Sequence, residues 1–150
     1  MAAKKSDPIQ FVNPANLNPV RVLIVEDNVD DRELLLRQLR KSKTDGNVKF
    51  ISDGKEALEY LSNLPPPTPF NDMIAIFLDL KLPSMSGLEI LRRIKKIPRV
   101  KDIPVIVMTA SIDPKDFEEC QKHRVASFVA KPVTFESFSK AITGLVHLPK

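Results

Sequence analysis

Five short apolar, β-branched runs recur along the chain, at residues 20–26, 47–52, 73–78, 104–108 and 127–130. After each comes a stretch whose apolar residues fall three or four apart, the spacing of one helix face. The first helix opens on Asp30 and Asp31, where the helix dipole favours negative charge. It carries Leu34, Leu35 and Leu39 and closes on the basic stretch 40–43, with Gly46 suited to the turn beyond. Later helices are expected over 55–62, 88–96, 114–124 and 135–146. Asp113-Pro114 is a strong start signal for the fourth and Thr134-x-x-Ser137 a weaker one for the fifth. The runs VRVLIV, MIAIFL and PVIVM are almost uninterruptedly apolar, as strands covered on both faces by helices require. The pattern predicts an α/β fold with a doubly wound, five-stranded parallel sheet. In such a sheet the ligand site lies outside the carboxyl ends of the strands.

At 150 residues the chain suits one well-cored domain, beginning near Val20. Residues 1–19, with three prolines and three asparagines, read as an irregular lead-in. No run approaches the roughly 20 apolar residues of a membrane span, and the N-terminus lacks a signal peptide's apolar stretch. The single cysteine, Cys120, cannot form an internal disulfide, which suits a reducing compartment, and a cytoplasmic protein is expected. The formal charge is +4, but the basic residues are spread along the sequence and mixed with 19 acidic ones. That favours a solvated surface over a nucleic-acid footprint.

The strand ends carry the candidate chemistry. The first ends in Glu26-Asp27, the third in Asp79, the fourth in Thr109, and the fifth delivers Lys131 followed by Pro132. One acidic residue at a strand end is commonly a helix cap, but three on neighbouring ends repel one another in a crevice of low dielectric. A divalent cation resolves that conflict. Hard oxygen ligands suit Mg²⁺, and no histidine or cysteine stands at a strand end to recruit zinc. Lys131 can pair with Asp79 at rest or with an added phosphoryl group, and the Thr109 hydroxyl can donate to a phosphoryl oxygen. A carboxylate nucleophile, a metal, an ammonium and a hydroxyl together describe an aspartyl-phosphate site.

The segments VLIVEDN, FLDLKLPSMSGLEIL, PVIVMTA and FVAKP closely resemble the response-regulator receiver family of two-component signalling, over residues 20–147. The spacings agree: 30 residues from Asp79 to Thr109, 22 from Thr109 to Lys131, and Phe128 three before the lysine. The resemblance implies a flavodoxin-like (βα)5 receiver with strand order 2-1-3-4-5. It makes Asp79 both metal ligand and phosphoacceptor, Asp27 a direct Mg²⁺ ligand, Glu26 a ligand mostly through water, and the Lys81 backbone carbonyl a further ligand. Thr109 and Phe128 become the switch pair, with plain core packing as the alternative for Phe128. Small Ala110 would leave an opening to the phosphoryl group. Lys81 and Ser111 either tune its lifetime or are ordinary loop residues. Two departures stand out: a Pro-rich insertion at 64–72, expected to be a stiff surface loop rather than a docking element, and Ser86-Gly87 where the family usually has Asp-Gly.

The implied phosphodonor is a sensor histidine kinase or a histidine phosphotransfer protein. The implied output is a protein surface formed by the fourth helix, fifth strand and fifth helix. Only Leu148-Pro149-Lys150 follow the last helix, so no output domain is expected. Signal would leave by contact with a downstream protein target, by onward relay, or through a homodimer, with no direct nucleic-acid or membrane binding. Length and insertion also resemble the stand-alone regulators that partner bacterial phytochromes. On this reading the chain is not an enzyme beyond catalysing its own phosphorylation and dephosphorylation. A phosphatase or mutase of the haloacid-dehalogenase type would need a second aspartate where Lys81 stands. A flavin-binding module of the same topology would need a phosphate loop where the chain has acidic EDNVDD.

Overall fold

The computed structural model describes residues 20–43, 45–66 and 73–145. Its elements run β1 (Val22–Val25), α1 (Val29–Lys41), a 3-10 turn (Asp45–Asn47), β2 (Val48–Ile51), α2 (Gly54–Ser62), β3 (Ala75–Asp79), α3 (Gly87–Ile94), β4 (Val105–Thr109), α4 (Pro114–Lys122), β5 (Ser127–Ala130) and α5 (Phe135–Leu145). All strand pairs are parallel, in the order β2-β1-β3-β4-β5, which is the predicted flavodoxin-like arrangement.

Alternation within the apolar strands divides the core into two layers. Leu23, Val25, Ile76, Leu78, Val105 and Val107 face one way, against Leu61 of α2, Ile90 and Ile94 of α3 and Cys120 of α4. Val22, Ile24, Phe77, Ile106 and Met108 face the other, against Leu35 and Leu39 of α1 and Phe138 of α5. Phe77 and Phe138 stack with centroids 4.9 Å apart. Leu34, expected on the same helical stripe, lies exposed, because the face needed against the sheet is filled by Leu35 and Leu39.

Element ends differ from expectation for local reasons. β4 begins at Val105 because Pro104 has no N–H to give the ladder, although its carbonyl accepts from Ile76 at 2.9 Å. α3 stops at Ile94 rather than residue 96, since Pro98 disfavours helical backbone at Ile97 and the chain continues in turns. α4 stops at Lys122 rather than Arg124. There Arg124 takes φ 58°, its N–H donates to the Gln121 carbonyl, and the Val125 N–H donates to that of Cys120, a Schellman ending.

Gly87 is not needed for a left-handed turn, since no glycine has positive φ. It is needed for close approach: a Cβ there would run into the Leu80 backbone and the Asp79 carbonyl. Ser86 replaces the family's aspartate as the α3 cap, its Oγ accepting from the Glu89 N–H at 3.2 Å. Of the Pro-rich insertion, residues 67–72 lie outside the described residues, as do the lead-in 1–19 and residues 146–150. Its start is tethered, because the Leu64 carbonyl accepts from Arg99 at 2.9 Å. No helix among the described residues is long and apolar enough to cross a membrane.

Candidate functional site

Glu26 and Asp79 are the buried charged residues of the described chain, 3% and 4% exposed. Both stand at strand tips. Glu26 follows β1, its N–H held by the Ile51 carbonyl at 3.0 Å, and Asp79 is the last residue of β3. Asp27, half-buried, completes a cluster in which one carboxylate oxygen from each of the three residues lies within 4.8 Å of the others. Its carboxylate makes no hydrogen bond or ion pair among the described residues, so it is free to accept a further ligand.

Lys131 supplies the cluster's counter-charge. Its Nζ reaches Asp79 Oδ2 at 2.9 Å, Glu26 Oε1 at 3.0 Å and Asp31 Oδ2 at 3.4 Å. The Lys131-Pro132 peptide is cis. Backbone amides also hold the carboxylates, with Lys81 N–H on Asp79 Oδ1 and Asn28 N–H on Glu26 Oε2, each at 3.0 Å.

Burial pushes the Glu26 carboxyl up, and the Asn28 amide and Lys131 only partly oppose it. Burial also works against the charged form of Lys131, but the hydrogen bonds it donates to Asp79 and Glu26 win, and its pKa ends above that of an ordinary lysine. With Asp31 counted, four carboxylates face one ammonium. A divalent cation would correct that imbalance, and a set of carboxylate oxygens is a hard-ligand seat of the kind Mg²⁺ takes.

Thr109 ends β4 beside the cluster, half-buried, but its hydroxyl donates to the Ser111 carbonyl rather than toward Asp79. Phe128 lies half-buried in β5, stacked on Phe117 of α4 with centroids 5.0 Å apart and an interplanar angle of 27°. Ala110 and Ser111 are exposed, and so is the Lys81 side chain. Sequence reasoning missed Asp31, whose place in the first turn of α1 already had a sufficient explanation in the helix dipole. It also missed Asp53. That carboxylate caps α2 through Glu56 N–H and accepts from Ser84 Oγ, tying the β2–α2 connection to the acceptor loop.

Topology and pocket together define a flavodoxin-like α/β protein with a carboxylate–lysine crevice at its strand tips. The model of the response regulator receiver domain matches residues 22–143, and the chain belongs to that family, the receiver domain of two-component signalling. The probable methanogenesis regulatory protein FilR2 of Methanothrix harundinacea is 32% identical over 132 residues, covering 83% of this chain and 80% of that protein. The solved bacteriophytochrome response regulator AtBRR is 38% identical, with TM-score 0.69 over 87% of this chain and 96% of that one. Response regulator Rcp1, solved in its Mn²⁺-bound form, is 30% identical, with TM-score 0.65 over 85% and 91%.

Proposed function

We propose that the chain is a phosphorylation switch in which Asp79 accepts a phosphoryl group from phosphohistidine on a sensor histidine kinase or histidine phosphotransfer protein. The observation that carries this reading is the carboxylate cluster of Glu26, Asp27 and Asp79, with buried Glu26 and Asp79 paired to Lys131 and Asp27 left open. Glu26, Asp27 and Asp79, with the Lys81 carbonyl, are the residues that would hold Mg²⁺. When bound, the ion offsets carboxylate repulsion and takes charge from a phosphoryl oxygen. The Mn²⁺ held by the related Rcp1 favours a divalent cation here.

In the transfer, a carboxylate oxygen of Asp79 attacks phosphorus, the P–N bond breaks, and the electron pair leaves with the donor's imidazole. A carboxylate nucleophile carries no proton, so no general base is required. Lys131, which holds Asp79 Oδ2 at rest, follows the negative charge onto the phosphoryl group. Thr109 then exchanges the Ser111 carbonyl for a phosphoryl oxygen. Its departure opens space for Phe128 to turn inward, which loosens the stack on Phe117 and reshapes the surface of α4, β5 and α5. That surface is the output, read by a downstream protein target or by a second copy of the chain in a cytoplasmic setting. The chain acts on no separate substrate.

The test is incubation with acetyl phosphate, with and without Mg²⁺, followed by intact mass measurement. One phosphoryl group should add in the presence of Mg²⁺, none under chelation and none in Asp79→Asn. Addition that survives Asp79→Asn contradicts the assignment.

A further inference from the structure

The opposite end of the sheet carries the reverse charge. Segments 101–104 and 122–126, which lead into the amino ends of β4 and β5, form with the end of α3 an open-mouthed cavity of about 430 Å³. Lys95, Lys101, Lys122 and Arg124 line it with Asp102 the one carboxylate of the lining, though Lys122 also pairs with Glu119 of α4 at 3.6 Å, while Ile103 and Ala126 give it an apolar wall. We propose that this cavity is a binding site for a small, multiply charged phosphate compound of nucleotide size, distinct from the phosphorylation crevice.

Part of the basic lining answers the helix C-termini it adjoins, since Lys95 caps α3 and Lys122 sits in the last turn of α4. Lys101 and Arg124 lie outside both helices, and their side chains make no ion pair among the described residues. Arg124 occupies the left-handed position of the Schellman ending, where glycine is the easy residue. A cationic side chain just past the end of α4 suits the helix dipole, and it also adds its charge to the cavity lining. Lys95 is half-buried, and among the described residues its ammonium donates only to the Lys101 carbonyl, at 3.3 Å. Burial, with Arg124 nearby and only Asp102 opposing, pulls its pKa down, the condition of a cation short of negative partners. The volume falls in the range of small-ligand pockets, and a cationic rim over an apolar wall fits phosphates joined to a flat, weakly polar body.

The experiment is calorimetric titration of the full chain with ADP, with pyrophosphate and with a hexaglutamate peptide, in chelator at low salt so that the crevice holds only its own carboxylates and Lys131. One-to-one binding of ADP is expected, weakened at least tenfold in the Lys101→Gln, Arg124→Gln double variant and unchanged in Asp79→Asn. Pyrophosphate binding as tightly as ADP keeps the anion site but removes the apolar wall from the recognition. Absence of saturable nucleotide or pyrophosphate binding, binding indifferent to the double variant, or preference for hexaglutamate overturns the proposal. Phosphorylation of the double variant by acetyl phosphate at the native rate verifies its fold.

Discussion

At the scale of single residues, the site depends on an electrostatic balance that one side chain maintains. Lys131 is the ammonium shared by Glu26 and Asp79, and removing it leaves two buried carboxylates uncompensated. Lys131→Ala should therefore lose about 3 kcal/mol in urea unfolding under chelation. Added Mg²⁺ should recover part of that loss, and an unchanged unfolding midpoint would show the pairing to be unimportant. Cys120 gives a second residue-level prediction. It is fully buried, and burial raises its thiol pKa from 9.0 to about 11. The folded state favours the protonated thiol, so its contribution to stability is complete below pH 9.0 and declines as pH rises through about 11. Native protein should resist iodoacetamide at pH 8 and react only after unfolding, and wild type should lose stability relative to Cys120→Ala across that alkaline window. The acidic trio and Lys131 were legible in sequence because strand-end positions leave few other roles for such side chains. Asp31 was not, because an acid in a helix's first turn needs no further explanation.

At the scale of elements, the connection between β3 and α3 fixes where Asp79 points. Gly87 packs directly on the backbone of Leu80 and Asp79, whereas a methyl group at Gly54 would press on the mobile end of the Ile90 side chain. Gly87→Ala should cost about 2 kcal/mol and slow phosphorylation by acetyl phosphate as the loop shifts. Gly54→Ala, whose neighbour can rotate away, should cost less and leave the rate near native. Equal effects in both would refute the backbone argument. The proposed switch draws on β4, α4 and β5. Thr109→Ala should still accept phosphate, but the ring resonances of Phe117 and Phe128 should shift less on phosphorylation than in wild type. Helix and strand identities followed from periodicity, and the order of strands from the family resemblance. The ends of α3 and α4 did not follow, because they turn on Pro98 four residues beyond one end and on a left-handed arginine at the other.

At the scale of the whole molecule, the parallel sheet works as a polar axis. Every strand runs the same way, so its carboxyl ends collect the acidic crevice and its amino ends, at β4 and β5, the basic cavity. The first pole could be read from the sequence because each acid ends an apolar run. The second could not, because Lys95, Lys101, Lys122 and Arg124 are spaced along the chain among acidic residues and meet only in the fold. All of the functional account rests on Asp79 as the acceptor. The most direct measurement is borohydride reduction of the acetyl-phosphate-treated protein followed by tandem mass spectrometry, since an acyl phosphate is reduced to the alcohol and marks its own aspartate. Homoserine at position 79 alone is the predicted result; homoserine at Asp27 or Asp53, or nowhere, would contradict it.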